Sequence, residues 1–280
     1  MNQNIKILVC CHKQDIHADM PPYFPIHVGK ALSNVQLDMI CDNQGEDNIS
    51  SKNQSYCELT GMYWAWKNLK NVDIIGLCHY RRYFDFHGVC GYLIPYKNIP
   101  VEKFKNCNIT VPQNIINKIN NGNIVVARPF YSSYNLIINY SLHHVSDDIR
   151  VLQDIIRSTQ PRIFVDAFRH VMYNRNYLIP YNMFIMRWTD FNEYCNWLFP
   201  LLEQVECKID ISHYNQFQAR IYGFMAERLF NVWLYATKKH LIYKPIIRIS
   251  EENNISTCKY IINAIRGKLA LLLTYQRHWI

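Results

Sequence analysis

A three-layer α/β domain is the fold class that this sequence predicts. Short, nearly continuous apolar runs recur at 5–11, 72–78 and 124–127, which is how strands buried on both faces read. Between and after them lie longer stretches with apolar residues at three- and four-residue spacing, the mark of core-facing helices. The 280 residues, 49% hydrophobic and 14% aromatic, supply a sizeable core, and only nine glycines argue against a glycine-rich β architecture.

The elements follow in order. The run 5–11 is the first strand, and it delivers His12 and Lys13 to the carboxyl edge of the sheet, where open α/β sheets meet their ligands. Both side chains suit an anionic ligand, and both also suit an ordinary solvated loop. Residues 42–53 are dense in turn formers, so they form a loop. In it Asp42, Asn43, Asn48, Lys52 and Asn53 suit a base, ribose or phosphate. Ser55 and Glu58 have capping-box spacing and open a helix with apolar residues at 59, 62, 63, 66 and 69. That spacing makes its aromatics core rather than a ligand platform.

The second strand, 72–78, feeds His79, Tyr80, Arg81 and Arg82; the third, 124–127, ends in Arg128 and Pro129. Residues 86–121 between them, rich in Asn, Pro and Lys, predict a weakly structured excursion with a short hairpin and helix. Helical patterns follow at 143–158 and 161–173, a strand at 182–186, and helices at 190–206 and 214–236. No internal repeat or low-complexity linker divides the chain. The pattern predicts one domain over 1–250 and a basic amphipathic tail over 251–280. In that tail, residues 260–273 mix an apolar stripe with Arg266 and Lys268, which suits either an interfacial helix or one docked on the domain.

Lys and Arg number 30 against 22 Asp and Glu, a formal charge of +8. Such a balance suits an anionic partner, and it also serves plain solubility. Nucleic acid is disfavoured, because the aromatics sit at core spacing and the lysines are scattered. Ten cysteines include no Cys-x-x-Cys pair, and several lie in apolar runs where a thiol acts as a small hydrophobe. With no apolar signal region before the first strand and no run of about 18–20 apolar residues, a cytoplasmic protein is expected.

The strongest chemical signal is the strand that ends in His79-Tyr80-Arg81-Arg82. Adjacent arginines there supply planar, permanently charged donors suited to phosphate oxygens. Nucleotide-sugar transferases of the common α/β type usually carry an Asp-x-Asp at this place, gripping a divalent cation on the diphosphate. This chain has no Asp-x-Asp and no Glu-x-Asp. Guanidinium charge can neutralise a leaving diphosphate in the cation's stead, so no cofactor is required, although manganese is to be tested.

A general base for an inverting transfer has four candidates: Asp85, Asp147, Asp148 and Glu227. Glu227 lies on a helix between Arg220 and Arg228, and an ion pair with either is the structural alternative. His79 is a metal ligand only if a companion carboxylate such as Asp85 joins it. His143 and His144 with Asp147 and Asp148 are a second conceivable metal set, or else exposed charge at a helix start. No glycine-rich phosphate loop, nucleophile elbow or metalloprotease helix is present.

These stretches are familiar in combination: Cys11-His12-Lys13, residues 25–32, Asp42-Asn43 through Lys52-Asn53, residues 56–60 and 63–68, Gly76-Leu77-Cys78-His79-Tyr80-Arg81-Arg82-Tyr83-Phe84, residues 180–186 and 223–230. Together they resemble an uncharacterised-domain family of capsular and exopolysaccharide biosynthesis proteins grouped among glycosyltransferases. The resemblance implies a GT-A-like nucleotide-sugar-binding fold with a helical C-terminal part. It also implies transfer from a UDP-sugar, with UDP-galactose or UDP-galactofuranose as first donors, during surface polysaccharide assembly.

On position and chemistry, Glu227 is the expected base, and His79 and Asp85 the other catalytic candidates. His12, Lys13, Asp42, Asn43, Asn48, Lys52, Asn53, Arg81 and Arg82 are expected on the donor side; Tyr181, Asn182 and Arg228 on the acceptor side. A lipid-linked oligosaccharide acceptor would suit a basic protein whose tail rests on an anionic inner membrane face. The rival is a non-catalytic scaffold of a polysaccharide assembly complex.

Overall fold

A computed structural model describes residues 3–45, 47–88, 94–250, 262 and 265–269. Twelve strands occur among them: β1 Ile5–Cys11, β2 Tyr23–His27, β3 Ile40–Cys41, β4 Ile74–His79, β5 Arg82–Phe84 and β6 Tyr96–Ile99, then β7 Asn123–Ala127, β8 Phe130–Tyr131, β9 Tyr177–Leu178, β10 Phe184–Arg187, β11 His240–Lys244 and β12 Ile246–Ile249. The helices are α1 Asn53–Tyr56, α2 Leu59–Asn68, α3 Val101–Phe104, α4 Gln113–Asn120, α5 Leu136–His143, α6 Ser146–Thr159, α7 Arg162–Asn174, α8 Trp188–Glu206 and α9 Ile221–Ala236.

The main sheet runs β11-β7-β10-β4-β1-β2-β3. Neighbours are parallel except around β10, which is antiparallel to both β4 and β7. Beside it, β5 folds back on β4 and pairs with β12, which in turn pairs with β6. Alternation along β1 shows why three layers form. Leu8 and Cys10 point into one apolar cluster with α2 and α5 to α9, while Ile7, Val9 and Cys11 point into the other with α4, β5, β6 and β12. Cys10, Cys11, Cys41, Cys78 and Cys195 are buried free thiols, as their apolar surroundings predicted.

The predicted strands at 5–11, 72–78, 124–127 and 182–186 are β1, β4, β7 and β10, each within two residues. Strands β2, β3, β5, β8, β9, β11 and β12 are two to five residues long and form no continuous buried run of the kind at 124–127, so the pattern does not mark them; β6 lies in 86–121, where a short hairpin is expected. The capping box at Ser55 and Glu58 does not form. Ser55 Oγ donates to the Lys52 carbonyl at 3.2 Å, and the long helix starts only at Leu59. Glu58 is pulled instead toward a residue 124 positions away, which local spacing cannot reveal. The 214–236 helix begins at Ile221, after a single tight turn at Gln218–Arg220. The tail over 251–280 lies outside the described residues apart from 262 and 265–269, and no helix among the described residues is long and apolar enough to cross a membrane.

Helix α2 seats directly on β1 and β2. A Cβ at Gly61 would stand 2.8 Å from Val28 Cγ1 and 3.3 Å from Cys10 Sγ. Alanine improves helix propensity by roughly 1 kcal/mol, yet overpacking costs about 1–3 kcal/mol. Gly61→Ala is therefore expected to lower the urea midpoint at unchanged slope. A raised midpoint would mean that the contact yields.

Candidate active site

β1 and β4 end side by side, with Cys10 opposite His79. Past β1, exposed His12 sets its ring edge-on against Tyr80 at 5.2 Å. At the end of β4, Tyr80 and Arg81 make a two-residue reversal, since His79 pairs with Arg82 across it. The two arginines part company there. Arg81 is engaged by Asp15, with Nε and Nη2 at 2.9 and 2.8 Å from one carboxylate oxygen. The Arg82 guanidinium lies 4.7 Å over the Tyr181 ring, and its buried Nε has no hydrogen-bond partner.

Tyr181 and Asn182 form the opposite wall. Both have positive φ, 75° and 52°, and neither is glycine. A bulky Tyr in this region is costly, and such conformations persist only where surrounding bonds over-determine them. Here four bonds do so. The Tyr181 N–H donates to Glu227 Oε1 at 2.7 Å, and His79 Nε2 lies 2.8 Å from the Tyr181 carbonyl. Asn182 Nδ2 donates to Glu58 Oε1 at 2.8 Å and to the Gly223 carbonyl at 3.3 Å. Asn182 Oδ1 is buried with no partner.

Because a carbonyl only accepts, His79 Nε2 carries the proton and Nδ1 presents its lone pair. Burial first, then neighbouring Arg82, push its pKa down to about 3, so the ring is neutral and lends no charge to anion binding. Two carboxylates face this turn. Burial pushes Glu58 above its ordinary range, opposed by the Asn182 hydrogen bond. Burial does the same to Glu227, opposed mainly by Arg228. Of the two arginines flanking Glu227 in sequence, Arg228 is its partner, at 3.2 Å, and Arg228 Nη1 also donates to the Phe224 carbonyl at 3.1 Å. Glu58 is the residue that sequence reading missed. It stood inside a familiar stretch, yet its Ser-x-x-Glu spacing matched a commoner role.

Other expected residues lie apart from this turn. The Asp42 carboxylate is buried and accepts from Gly29 N at 2.7 Å, from Lys30 N at 3.1 Å and from the Ser50 hydroxyl. Asn53 ties the α1–α2 junction, donating to the Cys57 carbonyl and to Thr60 Oγ1. Lys52 is paired with Glu206 at 2.7 Å, and Asn48 accepts from Ser50 N. Lys13 and Asn43 are exposed. These groups border the ends of β1 to β3, but Asp42, Lys52 and Asn53 spend their polar atoms on the protein itself. Asp85 is buried after β5 and accepts from the N–H groups of His87 and Gly88. It is not brought together with Glu227, and its backbone N–H is held by Pro245.

The His143, His144, Asp147 and Asp148 metal set does not assemble. The His144 ring packs 4.1 Å from that of Phe224, Asp148 accepts from Tyr214 Oη at 2.7 Å, and Asp147 pairs with Arg150. Among the described residues no three His, Cys, Asp or Glu side chains converge as cation ligands would.

No curated protein matches. A solved structure does, the apo form of WbbM, a bifunctional glycosyltransferase, at 27% identity and a TM-score of 0.75 over 89% of this chain. The match covers 46% of that chain, so this protein spans about half its length. The likeness and the mixed sheet together make the fold GT-A-like. Residues 6–239 match the model of DUF4422, a domain of unknown function, a span that takes in the reversal after β4, the left-handed turn, Glu58 and Glu227. The chain belongs to the DUF4422 family.

Proposed function

We propose that this protein transfers a sugar from a nucleoside-diphosphate sugar to a glycan acceptor. The observation that carries the reading is Arg82. It is a guanidinium with no hydrogen bond or ion pair among the described residues, just past the carboxyl end of β4 in a GT-A-like sheet, beside two half-buried carboxylates. The diphosphate meets Arg82 with His12 and Lys13 nearby, while Arg81 stiffens the reversal through Asp15. Its developing charge on departure is stabilised by guanidinium rather than by a cation. The acceptor hydroxyl approaches over Tyr181 and Asn182 and loses its proton to Glu227, giving inversion.

A UDP-sugar, with UDP-galactose and UDP-galactofuranose tested first, is the donor consistent with the family resemblance, and a lipid-linked oligosaccharide of a surface polysaccharide is the acceptor. In the tail, residues 265–269 dock on the domain, with Asn176 Nδ2 donating to the Gly267 carbonyl at 2.6 Å and Lys268 5.4 Å over the Tyr131 ring, while Ile262, Ile265 and Leu269 stay exposed at helical spacing beside Arg266. That pattern supports a tail resting on an anionic membrane face.

Isothermal titration of UDP, UDP-galactose and UDP-galactofuranose, with and without manganese, tests the reading; binding of none in either condition would sink it. Arg82→Ala is expected to weaken UDP-sugar binding about 10- to 100-fold, the loss of one charge-assisted contact. Wild-type affinity in that variant would refute the arginine clamp.

A further inference from the structure

Arg220 closes the tight turn that leads into α9. Its Nε donates to Cys57 Sγ at 3.3 Å, and its guanidinium lies 5.4 Å over the Phe224 ring. The two terminal nitrogens make no hydrogen bond or ion pair among the described residues. Arg82 has the same character: its guanidinium lies 4.7 Å over the Tyr181 ring and its buried Nε has no hydrogen-bond partner.

The two arginines converge on the same neighbours, linked by a short chain of contacts. Cys57 precedes Glu58, Glu58 is bonded to Asn182, and Asn182 follows the Tyr181 that carries Arg82. Both guanidinium groups are also within electrostatic reach of His79 and Glu58. We propose that Arg220 and Arg82 are the two arms of a diphosphate seat, with Arg220 positioned by Cys57 and Phe224.

Charge explains why two arms are needed. An anion brought to Arg82 alone would stand beside Glu58 and Glu227, and Arg228 answers only the second of these. A second guanidinium takes the local sum from neutral to positive. Two planar forks on separate elements can also grip neighbouring phosphates bidentately, which one arginine cannot do.

Cys57 is a positioning residue. Its backbone is held at φ 53° and ψ −131°, a conformation rare outside glycine, and this aims the sulfur at Arg220. α9 is pressed against it, since a Cβ at Gly223 would stand 3.2 Å from the same sulfur.

The proposal rests on the nucleotide-sugar reading for its ligand, and the test separates the two. Full-length wild type, Arg220→Gln, Cys57→Ala and Cys57→Ser are titrated with inorganic pyrophosphate, UDP and uridine, and each variant is melted to check folding. Arg220 is exposed, so Arg220→Gln is expected to melt as wild type does. It should lose about 10- to 100-fold in UDP and pyrophosphate affinity and none in uridine affinity. Cys57→Ala should lose part of that affinity, and Cys57→Ser, which keeps an acceptor, should recover it.

Pyrophosphate binding that depends on Arg220, without UDP binding, upholds the seat and removes the nucleotide reading. Wild type that binds neither anion overturns both. Arg220→Gln that binds both anions as wild type does, or that loses uridine equally, overturns the seat alone.

Discussion

Glu227→Gln is expected to lower kcat for sugar transfer about a hundred- to ten-thousand-fold with little change in donor KM, the usual scale for removing a positioned general base. Glutamine keeps the oxygen that accepts the Tyr181 N–H, so the left-handed turn survives while the proton acceptor is lost. It also leaves Arg228 without its counter-charge, so the melting temperature is measured alongside. Glu227→Asp separates the two effects. It keeps the charge, withdraws it by one methylene, and should also lose kcat. The pH profile is a second readout. A base must be ionised, so activity falls as pH falls through its pKa. Burial lifts that pKa, which places the acid limb of kcat/KM above the range of an ordinary glutamate. Glu58→Gln is the internal control. Glu58 shares the upward shift but is bonded to Asn182, and its loss should disturb acceptor KM more than kcat. If Glu58→Gln abolishes turnover and Glu227→Gln does not, the base is Glu58.

The parts of this site differ in how far they could be read from the chain, and the difference is physical. β4 is legible because the unbroken apolar run Ile74 to Cys78 admits few other readings, and its end fixes where His79 and Arg82 emerge. That Arg81 and Arg82 would divide their labour is not legible, because Asp15, which captures Arg81, comes from the loop after β1, 66 positions away. Tyr181 and Asn182 stood out as acceptor candidates, but their left-handed backbone did not, since no glycine marks it. The conformation is imposed by His79, Glu58 and Glu227 from three other elements. Asp42 shows the reverse failure. A loop aspartate beside turn formers looks like a ligand contact, yet its carboxylate closes the turn at Gly29 and Lys30 from inside. Arg220 shows what spacing alone could have offered. Arg220, Phe224 and Glu227 recur at four and seven residues on one helical face, and the same periodicity that marked the face as core carried two charged groups of the site.

Arg228→Met is expected to destabilise the fold by about 3 kcal/mol, the low end for breaking a buried pair, because it strands a carboxylate that keeps only 20% of its side-chain exposure. Arg228 is 4% exposed, and its guanidinium lies 5.2 Å over the Tyr140 ring, so methionine fills much of the same space without the charge. The sign of the pH dependence follows from Glu227. Its folded-state pKa already lies above the unfolded value, and removing Arg228 raises it further. The destabilisation is therefore full above that raised pKa and shrinks as pH falls through it, where Glu227 takes up a proton and the stranded charge disappears. Urea unfolding at neutral and at mildly acid pH measures this directly, and equal losses at both would show that packing rather than charge is responsible. The double variant Glu227→Gln with Arg228→Met completes the cycle. Glutamine still accepts the Tyr181 N–H, so most of the lost stability should return, because replacing both ends of a buried pair costs far less than breaking it. A double variant as stable as wild type yet inactive would also answer why the pair is buried beside the turn at all: it stores a base of raised pKa against the acceptor, at the expense of a core that neutral residues could have packed as well.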